Sequence, residues 1–288
     1  MRLDRIHDEL QIASIKKLAE EKRCALGFVG ATPIASEIFN ILDKLEIILL
    51  EYPIESDREQ PSFCAALMYS KQGEEELVFI GLNTAIYFDK QIYAIAHELY
   101  HFFTKTGSQF GRVDREDDLV EVQANYFAEE FLLPERALTN TIIEEFKSSS
   151  LRNLKMKTLL RFIARLQCTW WLPYDSIIAR LKQINAINEN QYLSLFSIDP
   201  RDMNGEYGKV GLAMNKEIFI KLNSANHNIN ASPKSIEIIV RNFENNLIDE
   251  DDFADILSVF EKHPSDFGYD CTVSEDDLDE FDSFFNGR

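Results

Sequence analysis

Two histidines four residues apart, with a glutamate beside the first, are the residues whose spacing best suits chemistry. His97, Glu98 and His101 lie in the run Ala-His-Glu-Leu-Tyr-His at 96–101. On a helix the two imidazoles fall on one face, one turn apart. Imidazole is a good zinc ligand, and the glutamate can act as a base toward water at an open coordination position. The spacing predicts a metal-hydrolase site, although the same pattern also occurs by chance on surface helices.

The residues around the motif predict the helix that carries it. A stripe of apolar residues recurs at helical spacing: Ile92, Ala96, Leu99 and Phe103. Asp89 is a candidate N-cap, and Gly107 is a candidate stop. Because the two histidines lie beside the stripe, we expect the stripe to pack on a sheet while the histidines face a cleft.

A second helix is predicted from about Leu119 to Leu133, where Pro134 ends it. Glu121 follows His101 by twenty residues, which is enough for a loop and a return helix. Glu121 is therefore a candidate third metal ligand, although taken alone it also fits a solvated helix position. Asn125, one turn further on, is placed to orient a ligand by a hydrogen bond.

Three β-prone runs before the motif predict strands. Residues 46–50 form one run, and residues 63–69 and 76–82 are joined by a polar turn, which is typical of a hairpin. If the run at 76–82 lies at a sheet edge beside the cleft, it can bind an extended peptide by strand addition.

The composition is that of a globular protein. The chain has 288 residues, of which 45% are hydrophobic, and no stretch approaches the roughly 20 apolar residues of a membrane span. The amino terminus lacks the apolar run of a signal peptide. The four cysteines lie far apart, without a CxxC pair. We therefore expect no membrane contact and a reduced, cytoplasmic setting.

The net charge of −19 is unevenly distributed. Residues 147–182 carry eight basic side chains against one acid, whereas residues 235–288 carry sixteen acids against three bases. An acidic chain with one basic island is a poor general nucleic-acid binder, so direct nucleic-acid binding is not expected. The island suits an acidic partner or the chain's own acidic tail.

The pattern suggests three segments. Residues 1–135 contain the metal motif, residues 136–195 are helical and similar to a helix-turn-helix unit, and residues 196–288 form an acidic region. We expect this last region to be mainly helical, with an acidic, phenylalanine-containing stretch at 274–285. Regulatory and partner-binding roles are both open for it.

Together the run at 96–101 and the run Glu-Val-Gln-Ala-Asn-Tyr-Phe-Ala-Glu-Glu-Phe-Leu-Leu-Pro at 121–134 resemble the ImmA/IrrE family of metallopeptidases. The resemblance extends over roughly residues 10–195. It implies an α+β fold: a zincin-like metallopeptidase domain with a small antiparallel or mixed sheet and the HExxH helix, then the helix-turn-helix-like unit and the acidic α region.

The resemblance also implies roles for individual residues. It assigns His97, His101 and Glu121 as Zn²⁺ ligands, Glu98 as catalytic base and Asn125 as the residue that orients a ligand. Tyr100 departs from the family pattern, which carries a small residue there, and a bulky ring could narrow the cleft or touch substrate. Hydrolysis of a carbonyl compound also needs a hydrogen-bond donor to the oxyanion that forms on the attacked carbonyl oxygen. Tyr100 and His227 are candidates for this donor, although the polar run around His227 fits a solvated loop as well.

The function that the resemblance implies is cleavage of a specific transcriptional repressor, which would derepress genes of a bacterial mobile element, defence system or stress response. The alternative is an antirepressor that keeps the zinc fold but sequesters its partner without cutting it. Neither the oligomeric state nor the activating signal follows from the sequence.

Overall fold

The computed structural model describes residues 9–55, 63–72, 75–106 and 118–269. The chain divides after Asn228 into two compact units, 1–228 and 229–288. The first unit contains, in order, α1 Glu9–Ala25, a short 3₁₀ helix Ala35–Glu37, α2 Ile38–Lys44, β1 Ile47–Tyr52, β2 Ala65–Gln72, β3 Glu75–Asn83, α3 Phe88–Thr104, α4 Asp118–Leu132, α5 Glu135–Phe146, α6 Met156–Trp170, α7 Tyr174–Gln183, α8 Glu189–Phe196 and α9 Glu206–Leu222.

The small mixed sheet of the first unit confirms the predicted α+β fold. Its strands lie in the order β2-β3-β1. Strands β2 and β3 form the predicted antiparallel hairpin, in which Leu67 pairs with Ile80. Strand β1 is parallel to β3, so that Leu49 also pairs with Ile80. The apolar run at 46–50 is therefore a strand, as predicted.

Residues 76–82 form a strand but do not lie at a sheet edge, so the condition for strand addition there is not met. Strand β3 has a neighbour on each side, β2 and β1, which use its two rows of backbone hydrogen-bonding groups. Within the described part of the first unit, β2 lies at one edge of the sheet, and its only pairing partner there is β3. Both sides of β3 are therefore already paired, which leaves no side of β3 free for an added strand.

Helix α3 packs against β2, β3 and α4. Ile92, Ala96 and Leu99 of the predicted stripe are fully buried, which confirms its orientation. The helix begins at Phe88, so the expectation that Asp89 is its N-cap is wrong. Lys105 takes a left-handed conformation at φ 55° and ends the helix, whereas the predicted stop at Gly107 lies outside the described residues.

Asp89 lies fully buried in the first turn of α3. Its Oδ1 is 2.9 Å from Arg201 Nη2, and Gln167 Nε2 donates to its Oδ2 at 3.1 Å. The backbone N–H of Phe88 also donates to the Ser224 carbonyl at 2.9 Å. Residues 136–228 thus belong to the same compact unit as the motif helix, and the domain boundaries at 135 and 195 stay predictions.

The second unit is described from residue 229 to 269. It contains the two-residue strand β4 Asn230–Ala231, helices α10 Pro233–Glu244 and α11 Glu250–Val259, and a 3₁₀ turn Pro264–Phe267. Phe243 stacks on Phe253 at 4.3 Å between centroids, and Tyr269 meets both rings edge-on. The acidic stretch at 274–285 lies outside the described residues.

Across the described ranges, no helix combines the length and apolar character that crossing a bilayer requires.

Candidate metal centre

Helix α3 carries both histidines of the motif with their rings close together. The ring centroids of His97 and His101 are 5.1 Å apart, and the two Nε2 atoms are 3.2 Å apart. His101 is buried and His97 is partly buried. The four-residue spacing on a helix therefore brings the imidazoles together, as predicted.

Helix α4 brings Glu121 to the same place. One carboxylate oxygen of Glu121 is 3.1 Å from His97 Nε2, and the other is 3.2 Å from His101 Nε2. Within the described ranges, these three residues form a group whose potential ligand atoms all lie within 4.8 Å of one another. The side chain that the sequence nominates as third ligand thus meets the two histidines.

The spacing of these donor atoms suits zinc. A tetrahedral ion with ligands at about 2.0–2.1 Å separates neighbouring donors by about 3.3 Å. The separations of 3.1 and 3.2 Å between the imidazole nitrogens and the carboxylate oxygens come close to that value. Two imidazoles and one carboxylate are also a ligand set that catalytic zinc sites use, with a position left for water.

Asn125 connects the two helices behind the candidate ligands. Its Oδ1 is 3.3 Å from His97 Nδ1 and accepts the Tyr93 hydroxyl at 3.2 Å, while its amide nitrogen donates to the Glu121 carbonyl at 2.8 Å. Because an amide oxygen only accepts, the neutral form of the His97 ring in this contact carries its proton on Nδ1. The lone pair of Nε2 is then available to a metal.

Thr106 contacts the outer nitrogen of the His101 ring and so holds its orientation. The turn at Lys105 folds the chain back, so that Thr106 N donates to the His101 carbonyl at 3.2 Å and its Oγ1 lies 3.1 Å from His101 Nδ1. The sequence reasoning missed Thr106 and Tyr93. Neither stands in a motif, and their approach depends on the helix end and on the packing of two helices.

Glu98 lies beside the group, 9% exposed, and faces strand β2. Its Oε2 accepts the backbone N–H of Leu67 at 2.9 Å. Burial raises the pKa of Glu98, and the neighbouring histidines and the Leu67 N–H offset this only in part. A carboxylate with a raised pKa is a better proton acceptor than a solvated one.

Glu121 and His97 stabilise each other's charged form. Hydrogen bonds from the imidazoles of His101 and His97 hold the pKa of Glu121 well below its ordinary value, and the bond from His101 has the larger effect. Burial alone would lower the pKa of His97, but the Glu121 carboxylate and the nearby Glu98 outweigh it, so that the pKa rises. The site therefore favours the ionised form of the Glu121 carboxylate beside His97.

Two helices thus contribute a histidine pair, a carboxylate and an adjacent buried glutamate. Residues 75–156 match the model of the IrrE N-terminal-like domain family, Peptidase_M78. The resemblance predicted from the two motifs is confirmed, over a shorter range than the expected 10–195. No curated protein and no solved structure gives a significant match. The family indicates a metallopeptidase domain, and hence a protein as the class of substrate.

Tyr100, within this IrrE-like domain, lies between α3 and α4 and is 6% exposed. Its hydroxyl donates to Gln123 Oε1 at 2.7 Å, and its ring lies 5.6 Å from the Phe127 ring between centroids. This position does not support the expectation that Tyr100 narrows the cleft or contacts substrate.

His227 lies outside the matched IrrE-like domain and apart from the histidine pair in its described contacts. Its ring is 3.4 Å from Glu55, and its backbone N–H donates to the Thr84 carbonyl at 3.1 Å. The side chain is half exposed. These contacts fit the solvated-loop interpretation better than a role at the oxyanion.

Proposed function

We propose that this chain is a zinc-dependent endopeptidase that cuts a specific protein. The observation that carries the proposal is the convergence of His97, His101 and Glu121, with the Glu98 carboxylate buried beside them. In this proposal the three residues hold Zn²⁺ and Glu98 is the catalytic base. The cytoplasmic setting expected from the sequence belongs to the same proposal.

A Zn²⁺ ion in this position supplies a Lewis acid that eases the ionisation of water and polarises a peptide carbonyl. Glu98 takes the proton of the attacking water and passes it to the leaving amine, so it serves as base and then as acid. The Leu67 N–H holds Oε2 of Glu98, which leaves Oε1 for the proton. Asn125 and Thr106 keep the imidazoles turned toward Glu121.

We place the substrate along the edge strand β2. Asn83 N donates to the Cys64 carbonyl at 2.9 Å, which makes Cys64 and Asn83 a hydrogen-bonded pair of the ladder. Because such pairs alternate along antiparallel strands, the N–H groups of Ala65 and Leu67 point away from β3. A peptide added to this edge in extended form brings its carbonyl groups close to Glu98.

The resemblance to the ImmA/IrrE family is what favours a transcriptional repressor as the substrate. Cleavage of such a repressor would switch on the genes it controls. We expect the repressor to be encoded beside the gene for this chain, and that neighbour is the protein to test.

The test is incubation of the purified, zinc-loaded chain with the neighbouring repressor, followed by mass spectrometry of the products. We expect discrete fragments with the native chain and none with Glu98→Gln, which should retain zinc because it keeps all three ligands. An active Glu98→Gln variant would contradict the role of Glu98. A stable complex that never yields fragments would favour the antirepressor interpretation instead.

A further inference from the structure

The ligands of the candidate metal centre come from two separate helices. His97 and His101 lie on α3, whereas Glu121 lies on α4. Residues 107–117, which join the two helices, lie outside the described residues. Side-chain contacts join α3 and α4 near these ligands, among them two tyrosine hydrogen bonds and a ring contact.

Two tyrosines of α3 make matching contacts with α4. Tyr93 and Tyr100 are seven residues apart and share one face of the helix. The Tyr93 hydroxyl donates to Asn125 Oδ1 at 3.2 Å, and the Tyr100 hydroxyl donates to Gln123 Oε1 at 2.7 Å. Both acceptors follow Glu121 within one turn, so the two bonds hold the segment of α4 that carries the carboxylate.

The Tyr100 bond is the shorter of the two and is partly buried. Tyr100 is 6% exposed, and its ring packs on Phe127 of α4 and edge-on against His101 at 5.8 Å. The tyrosine thus touches one ligand directly and reaches the helix of another. A small residue, as in the ImmA/IrrE pattern, would provide neither contact.

We propose that Tyr100 and Gln123 form a positioning pair, which holds α4 at the distance from α3 where Glu121 meets His97 and His101. This inference rests on the proposed function, because it concerns how the chain shapes its zinc site. It gives the departure of Tyr100 from the family pattern a role inside the protein rather than in substrate choice.

The test measures zinc affinity of the full chain, by competition with a chelator, in Tyr100→Phe, Gln123→Ala and the double variant. Tyr100→Phe keeps the ring on Phe127 and removes only the hydroxyl. We expect each single variant to bind Zn²⁺ about 10-fold more weakly, the upper range for one hydrogen bond. The double variant should be no weaker than the single ones, because one bond is lost in each case.

Tyr174→Phe is the matched control. Its hydroxyl donates to the Leu195 carbonyl at 2.9 Å in a buried position of α7, so the variant also loses one phenolic hydrogen bond. We expect its melting temperature to fall while its zinc affinity stays within about twofold of the native value, as no ligand helix is involved. The visible spectrum of bound Co²⁺ should change in Tyr100→Phe and not in Tyr174→Phe.

The outcomes separate this inference from the proposed function. If the native chain binds no Zn²⁺, both are overturned. If the native chain binds Zn²⁺, and Tyr100→Phe and Gln123→Ala both bind it with the native affinity, the pair only stabilises packing. The positioning role is then wrong. If Tyr100→Phe does not fold, Gln123→Ala carries the measurement, because Gln123 is only partly buried; failure of both to fold would assign the pair to global stability and overturn the inference.

Discussion

At the residue scale, the outer hydrogen bonds decide which nitrogen of each histidine faces the site. Asn125 Oδ1 lies 3.3 Å from His97 Nδ1, and Thr106 Oγ1 lies 3.1 Å from His101 Nδ1. Both Nε2 atoms consequently face Glu121. An imidazole without such a partner can rotate or change tautomer, so these two neighbours preorganise the ligand set.

Alanine substitutions should distinguish a histidine of the candidate metal centre from a histidine outside it. We expect His97→Ala to weaken Zn²⁺ binding by more than about 100-fold, beyond the range for loss of an outer hydrogen bond. His227→Ala removes the same side chain from an exposed position near Glu55 and should leave zinc binding unchanged. Metal content after dialysis against a chelator checks both variants, and loss of zinc in His227→Ala would contradict the placement of His227 outside the centre.

At the scale of secondary structure elements, the order of the strands selects the surface open to a peptide. Strand β3 is paired on both sides, whereas the outer side of β2 faces Glu98, which accepts the Leu67 N–H. The contact between Leu67 and Glu98 joins residues 31 positions apart. It links the proposed substrate edge to the proposed catalytic base.

Ala65→Pro tests this edge. Proline removes the outward N–H of Ala65 without removing a ladder bond to β3, a position where edge strands tolerate proline. We expect cleavage to fall roughly 10-fold through loss of one substrate hydrogen bond, with zinc content unchanged. Ala65→Val keeps the N–H and is the control. Equal cleavage rates for the proline and valine variants, measured on the same substrate, would exclude strand addition at this point.

At the scale of the first compact unit, helix α3 is held by contacts to residues outside the matched range 75–156. Asp89 is fully buried against Arg201, and the two residues are 112 positions apart. Arg201 Nη1 also donates to Asn223 Oδ1 at 2.6 Å. Burial raises the pKa of Asp89, and Arg201 opposes the shift. The ion pair therefore makes it possible to keep a charged carboxylate inside the unit.

Arg201→Met should destabilise the first unit by about 3 kcal/mol, because it leaves a buried carboxylate without its cation. This difference in unfolding free energy between the native chain and the variant should shrink as the pH falls through the raised pKa of Asp89, since protonation then removes the buried charge. Arg165→Met breaks the more exposed pair with Glu145 and should cost less than about 1 kcal/mol. Urea unfolding at two pH values measures both, and equal losses for the two variants would contradict the anchoring role.

Local patterns predicted much of the site and several elements. The four-residue spacing of His97 and His101, and the one-turn spacing of Glu121 and Asn125, follow from helical periodicity. The hairpin of β2 and β3 and the helices of the second unit were likewise predicted from runs of neighbouring residues. These features depend on residues close together in the chain, which is where sequence patterns carry information.

The sequence by itself determined the candidate ligands, the candidate base and the resemblance to a metallopeptidase family. Only the tertiary structure decided that β2 rather than β3 lies at an edge, that Asp89 is a buried ion-pair partner rather than a helix cap, and that the Tyr100 hydroxyl bonds Gln123. Each of these depends on which distant segment packs against the residue. Local spacing fixes the face of a helix or strand, but the partner of that face is set by the minimum free energy of the whole fold.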